Sequence, residues 1–221
     1  MHPYIQQFIQ GLKQTTLLEY IAVAFGIISV LLSRIENIGV YPTGIINTTL
    51  FTYLSFNGGL YAEAAVNIYY TIMSILGWLW WAQKQEGKKR INIQYSNKKE
   101  KYTAIVFFTT SWVGLYLTLH HFTNSTVPLA DAFASATAYT AMWLMAKKKI
   151  EHWLWWVITN LASIPLYFIK GYTFTSFQFI IFLILAILGW IEWKKIYHLS
   201  QQNTHTTSLN NQTTPQTKKI I

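Results

Sequence analysis

The chain contains no cysteine, and only 11% of its 221 residues are charged, against about 25% in an ordinary soluble domain. Without cysteine there is no disulfide framework, no thiolate metal site and no cysteine nucleophile. With so little charge a surface of this size cannot be solvated. The apolar residues, 52% of the chain, must instead face lipid, so the bilayer is the first expected partner. The formal net charge of +9 is not a nucleic-acid signature, because the Lys and Arg residues stand between long apolar runs. No nucleic-acid partner is expected.

Further absences narrow the class. No small-residue cleavage site follows an apolar core near the start, so the first apolar run is expected to be retained. No Lys, Arg, Asp or Glu falls at the middle of a long apolar run. A carboxylate proton relay and a carboxylate sodium site are therefore without residues. His120 and His121 are adjacent, His2 and His152 are isolated, and His198 and His205 lie at or beyond the last apolar run. They form no ligand set and no nucleophile–base constellation, so no metal, cofactor or enzymatic activity is expected. A channel would show rings of charge or exposed carbonyl filters, and neither is visible.

What is present is a set of seven continuous apolar runs, at 17–33, 40–56, 60–82, 102–122, 128–146, 153–169 and 173–196. Each is close to the roughly 20 residues that cross a bilayer as a helix, whereas a β-barrel would show short alternating segments. The expected fold is an all-α integral membrane protein of seven transmembrane helices. Residues 1–16 form a polar leading segment. The stretch 197–221, rich in Thr, Gln and Asn, is expected to be a disordered tail. With seven spans, the start of the chain and the loops after spans two, four and six hold only Lys13 and Lys170, and the opposite side holds the other 15 of the 17 basic residues. The positive-inside rule then places the N-terminus outside and the C-terminus in the cytosol.

Shifting the chain by 112 residues aligns its halves without a gap. Gly77-Trp78-Leu79-Trp80-Trp81 falls on Gly189-Trp190-Ile191-Glu192-Trp193, Phe56 and Gly59 on Phe168 and Gly171, and Glu19 on Asp131. Spans one to three (17–82) thus match spans five to seven (128–196), with the span at 102–122 as a linker. One linker span leaves both repeats entering the membrane in the same direction. The expectation is a 3+1+3 parallel repeat about an axis along the membrane normal, an arrangement used by transporters with sites near the midplane.

Polar residues inside spans usually face the bundle or a cavity. Asn47 and Thr48 in span two are repeat-equivalent to Thr159 and Asn160 in span six. Span three carries Asn67 and Tyr70, and span seven carries Gln178. Trp153, Trp156 and Asn160 recur at i, i+3 and i+7, one helical face. Two indole faces leading to an amide suit a flat heterocycle, and cation–π attraction favours a positive one. The other tryptophans at the basic ends of spans, Trp78, Trp80, Trp81, Trp190 and Trp193, read as an interfacial anchoring belt. Glu19, Glu63 and Asp131 near the opposite ends should make that mouth mildly negative and attractive to cations. Pro165 is expected to bend span six or serve as a gate.

These features together resemble the PnuC family of bacterial vitamin transporters, whose main substrate is nicotinamide riboside. The resemblance covers about 17–195. It rests on Asn67-x-x-Tyr70, Trp153-x-x-Trp156 with Asn160, Tyr41-Pro42-x-Gly44, the Lys170-Gly171 turn and Gly189-Trp190-x-x-Trp193. It implies a duplicated three-helix fold like that of the SWEET proteins, location in the bacterial inner membrane, and facilitated diffusion followed by trapping through a cytosolic kinase. It also implies that Trp153 and Trp156 flank the substrate ring while Asn160, Asn67 and Tyr70 bind its polar groups. Gln178 and Asn47 are added from depth and polarity. Thiamine, also a cation on a flat ring, is the alternative substrate, and a membrane scaffold is the alternative class. Homo-oligomerisation is left open.

Overall fold

The computed structural model describes residues 6, 9, 15–59, 61–85, 88, 89, 91–123 and 125–213, with side chains omitted at 61, 62, 84, 85, 88, 89 and 203–213. Within them the chain forms seven helices: α1 (Leu17–Arg34), α2 (Val40–Asn57), α3 (Tyr61–Ala82), α4 (Lys98–Phe122), α5 (Pro128–Ala146), α6 (His152–Ile169) and α7 (Thr173–Thr213). A ribbon of two short strands, β1 (Lys84–Gln85) and β2 (Lys88–Lys89), lies between α3 and α4.

Local chemistry sets the helix starts. Thr16 caps α1 in a capping box: its Oγ1 accepts from the Glu19 amide and the Glu19 carboxylate accepts from the Thr16 amide. Asn97 and Glu100 do the same for α4, so the free N–H groups of both first turns are used reciprocally. α5 opens on Pro128, where no amide donor is needed. The turns after α2 and α6 pass through Gly59 (φ +71°) and Gly171 (φ +81°), a left-handed conformation that glycine adopts without Cβ penalty.

The last helix departs from the sequence expectation. Where the last apolar run ends at 196, α7 continues unbroken to Thr213. The residues of this continuation are mediocre helix formers, but no Gly or Pro interrupts them before Pro215. Extending an existing helix costs far less than starting one. Residues 214–221, and most of the expected leading segment 1–16, lie outside the described residues.

Consecutive helices pack as antiparallel neighbours, except across the long α3–α4 connection. α1 also packs on α7, α3 packs on α5, and α4 packs on α5. α5 is the most enclosed helix. It buries Ala132, Ala134, Ala136, Thr137, Ala138, Thr140 and Ala141, and these small side chains let neighbouring backbones approach closely. α4 and α7 instead expose large apolar side chains, among them Tyr102, Ile105 and Val113, and Phe177, Ile184 and Ile191. Contiguous apolar faces of this extent belong against lipid. α1, α4 and Thr173–Gln202 of α7 are each long and apolar enough to cross a membrane by length and composition.

One end of the bundle holds the basic connections α1–α2, α3–α4 and α5–α6; the other holds Glu19, Glu63, Asp131 and Lys170. The basic end contains a buried aromatic core. Tyr41 lies against Gly77, and Trp153 lies against Gly189. A Cβ on Gly77 would stand 2.4 Å from the Tyr41 ring, and one on Gly189 would stand 2.5 Å from the Trp153 ring. Trp81 meets Tyr41 edge-on at 5.1 Å, and Trp193 meets Trp153 edge-on at 5.9 Å.

The anchoring-belt reading is therefore wrong for two of the five tryptophans. Trp81 and Trp193 are 7% and 0% exposed. The Trp81 indole N–H donates to the Ala146 carbonyl (3.2 Å), and that of Trp193 to the Ser33 carbonyl (2.9 Å). The Ala146 carbonyl at the C-terminal end of α5 lacks an intrahelical donor, and the Trp81 indole supplies one; the Ser33 carbonyl, which already accepts from the Glu36 amide (3.1 Å), takes Trp193 as a further donor. Trp78, 41% exposed, remains compatible with a belt.

Replacing Gly77 or Gly189 by Ala should destabilise the fold by about 1–3 kcal/mol through overpacking. Gly114 of α4, with nothing within 4 Å of an added Cβ, should instead gain up to about 1 kcal/mol on the same change. Thermal unfolding midpoints in detergent check this. Equal midpoints for Gly189→Ala and Gly114→Ala would contradict the packing.

Candidate functional site

α6 presents Trp153, Trp156 and Asn160 along one face, as their spacing requires, but the three have different surroundings. Trp153 is 2% exposed. It packs on Gly189 and Trp193, with the His152 ring 4.5 Å away, and its indole N–H has no acceptor among the described residues. It lies at the end of this row nearest the basic end.

One turn inward, Trp156 is half-buried and faces a different group of rings. Its centroid is 6.4 Å from Tyr70 of α3, inclined at 57°. Tyr70 in turn meets Tyr139 of α5 edge-on at 6.2 Å, and Tyr69 lies 4.1 Å from Tyr139. The Tyr69 hydroxyl donates to the Tyr139 carbonyl at 3.1 Å. α3, α5 and α6 thus converge on one aromatic cluster. Tyr139 was missed by sequence reasoning. Its signal was the single tyrosine of the span, set among the small residues Ala134, Ser135, Ala136, Thr137, Ala138, Thr140 and Ala141.

A further turn along α6 lies Asn160, 4% exposed, whose side-chain amide makes no hydrogen bond among the described residues. Its neighbour Thr159 is fully engaged, donating to the Trp155 carbonyl (2.8 Å) and bonding the Thr137 hydroxyl (3.0 Å). The contrast with the first half of the chain is informative. Thr48, equivalent to Asn160 in the 112-residue register, is satisfied by the Thr71 hydroxyl at 2.7 Å. The Asn160 amide, one turn beyond Trp156 and without a partner among the described residues, is the candidate of this row for meeting a polar ligand group.

The remaining candidates divide. Asn67 is one turn before Tyr70 on α3; its Nδ2 donates to the Glu63 carbonyl at 3.0 Å, which leaves Oδ1 as acceptor. Gln178 is half-buried on α7, which packs on α6. Asn47 is committed elsewhere: its Nδ2 donates to the Ala22 carbonyl of α1 at 2.7 Å, close over Gly26. It ties α2 to α1.

Charge stays at the two ends. Asp131 pairs with Lys170 and accepts from the Ser125 hydroxyl. The acidic mouth is therefore partly neutralised, and Glu63 and Glu19 carry the rest of its negative character. Pro165 sits inside α6 without ending it. The site offers ring faces, an unpaired amide and hydroxyls, with no nucleophile–base pair and no metal-ligand cluster among the described residues.

Comparison with known proteins agrees with this architecture. The family model described as nicotinamide mononucleotide transporter matches residues 16–195. The nicotinamide riboside transporter PnuC of Escherichia coli (strain K12) is 23% identical, over 80% of this chain and 84% of its own. The riboflavin/roseoflavin transporter RibM of Streptomyces davaonensis is 22% identical, over 76% of this chain and 80% of its own. The crystal structure of the vitamin B3 transporter PnuC superposes with a TM-score of 0.67 at 21% identity, covering 87% of both chains. These relatives are transporters, not enzymes.

Proposed function

Because the chain belongs to the nicotinamide mononucleotide transporter family, we propose that it carries nicotinamide riboside across the bacterial inner membrane by facilitated diffusion. The observation that carries this reading is the Trp156–Tyr70–Tyr139 ring cluster together with Asn160, a residue 4% exposed whose amide has no partner among the described residues. A pyridinium ring stacks on electron-rich faces, and the carboxamide and ribose hydroxyls use Asn160, Asn67 and Gln178. Trp153 closes the site toward the basic end. A phosphate ester would call for a basic group at the site. The nearest described lysine at the acidic mouth, Lys170, is paired with Asp131. The riboside is therefore the better fit than its mononucleotide. The RibM relative supports a second reading: a flavin also joins a flat heterocycle to a polyol chain. Thiamine is the third competitor.

Transport is set up as two three-helix units of the same orientation, α1–α3 and α5–α7, joined by α4. This is supported by the packing pairs α1–α7 and α3–α5, which exchange when the units are exchanged. It is also supported by the contact of Ser33 with Met145 and of Glu36 with Lys148, each joining residues 112 apart. A residue that touches its own equivalent lies at a twofold axis. The basic end faces the cytosol, where a kinase phosphorylates the substrate and traps it.

The absence of acids at mid-depth argues for uncoupled transport. Proteoliposomes loaded with no ion gradient should equilibrate labelled nicotinamide riboside to equal concentrations inside and out, with competition by unlabelled riboside but not by the mononucleotide. Accumulation driven by an imposed proton or sodium gradient would refute the uncoupled mechanism. Stronger competition by riboflavin or thiamine would reassign the substrate.

A further inference from the structure

α5 packs on both α3 and α4, whereas α3 and α4 do not pack as neighbours and are joined through their long connection. At the basic end this leaves a crevice over the last turns of α5. Trp143 of α5, half-buried, lies against Phe107 of α4 with ring centroids 5.7 Å apart. One turn further on, the Lys147 ammonium stands 4.1 Å over the Trp143 ring. Between Lys147 and the end of α3 lies a cavity of about 280 Å³, lined by Trp80, Gln83, Ile91 and Lys147.

Lys147 differs from the two lysines that follow it. Lys148 is paired with Glu36 and Lys149 with Glu100, but Lys147 has no ion pair among the described residues. Glu100, which is within electrostatic reach of Lys147, is already bonded to Lys149 at 2.8 Å. The Trp143 face holds the Lys147 ammonium without neutralising it. The segment that runs from Gln83 to Ile91 adds Lys84, Lys88, Lys89 and Arg90 against one acid, Glu86. The charge of this end is therefore positive, and it favours an anion.

The depth of the cavity narrows the choice of anion. The apolar runs of α3 and α5 stop at 82 and 146, so Trp80 belongs to the last apolar turn, and Gln83 and Lys147 are the first residues beyond. Trp78, on the same turn of α3, is 41% exposed, as an indole at the headgroup level is. Deeper along the same two helices, Ile72, Ile75 and Leu79 of α3 and Ile105 and Val106 of α4 are all exposed. They are apolar surface for acyl chains.

We propose that this cavity binds the headgroup of an anionic phospholipid of the phosphatidylglycerol type. The phosphate meets Lys147, the glycerol lies against Trp80 and Ile91, and the acyl chains run along the exposed faces of α3 and α4. A basic pocket between spans at this level suits such a headgroup. A phosphatidylcholine brings its own cation against Lys147. A soluble phosphate would meet one ammonium and leave the apolar walls unused. No lining residue belongs to the Trp156–Asn160 cluster, so the proposal holds whatever the chain transports.

The test titrates the purified full chain in neutral detergent with dioctanoyl phosphatidylglycerol, dioctanoyl phosphatidylcholine or inorganic phosphate, and reads bound lipid by native mass spectrometry. Phosphatidylglycerol should bind at least about fivefold more tightly than phosphatidylcholine, the effect of about one lysine at a membrane surface. Phosphate should not compete with it. Lys147→Gln should abolish the preference, and Lys147→Arg should keep most of it. Ile91→Trp, which fills the cavity without altering any charge, should weaken phosphatidylglycerol as much as Lys147→Gln does. Lys194→Gln is the control. Lys194 also stands over an indole, 4.4 Å from the Trp190 ring, but it does not line the cavity. Its loss should change the affinity by less than about twofold, since a charge outside the site is screened by salt. Equal losses in Lys147→Gln and Lys194→Gln would reduce the effect to general surface attraction and overturn the site. A wild-type preference in Lys147→Gln, or undiminished binding in a folded Ile91→Trp protein, would do the same. Competition by phosphate would assign the cavity to a soluble anion instead.

Discussion

Replacing Trp156 by Ala is expected to weaken nicotinamide riboside binding by about 25-fold or more. A desolvated cation–π contact contributes about 2 kcal/mol, and each tenfold in affinity is about 1.4 kcal/mol; lost ring burial adds to this. Trp156 is the indole to test because it is half-buried and faces Tyr70, whereas Trp153 is enclosed by Gly189 and Trp193. Trp156→Phe keeps a ring face with a weaker quadrupole and should fall between wild type and Ala. A neutral, dihydropyridine-type analogue of the riboside should lose less on the Ala substitution than the cation does. Affinities of purified protein for both ligands across the three proteins provide the measurement. If the Ala variant stays folded and binds the cation as wild type does, Trp156 is no part of the site.

The second large effect is expected at Asn160, where binding and stability should separate. Its amide is buried but has no partner among the described residues, so Asn160→Leu removes nothing the ligand-free fold relies on. The unfolding midpoint should hold or rise. Binding should fall by about 5- to 150-fold, the range that follows from about 1–3 kcal/mol for leaving a ligand polar group unpaired. Thr159→Val makes the opposite case on the adjacent residue. Its hydroxyl is already bonded to Trp155 and Thr137, so stability should fall while affinity changes little. A midpoint for Asn160→Leu well below wild type, with unchanged affinity, would mean the amide is structural.

Much of the fold is legible in the chain because lipid imposes a one-dimensional rule. Every backbone polar group in the hydrocarbon must be paired within its own helix, so apolar runs read out as helices almost one for one. The runs at 40–56 and 128–146 appear as Val40–Asn57 and Pro128–Ala146. The 112-residue register recurs in the turns, with Gly59 and Gly171 both left-handed. The aromatic and amide types of the candidate site, Trp156, Tyr70 and Asn160, are also visible from spacing. Tyr139 is not, since nothing along α5 says which ring on another helix it will meet.

The tryptophans show where such reading stops. An indole is apolar with one donor, equally suited to an interface or to a buried carbonyl. Trp78 and Trp81 lie on the same helix end, yet one is 41% exposed and the other 7%. The difference comes from a carbonyl at the end of α5, 65 residues away along the chain. Thr48 and Asn160 make the same point: equivalent in register, one is paired with Thr71 and the other is left open. By itself the sequence determined that this is an all-helical membrane protein of seven long helices, because hydrophobic length and backbone pairing are properties of single segments. Only the tertiary structure decided which polar groups are spent on holding helices together and which are left without a partner among the described residues, because pairing depends on which atoms of distant segments come within hydrogen-bonding reach.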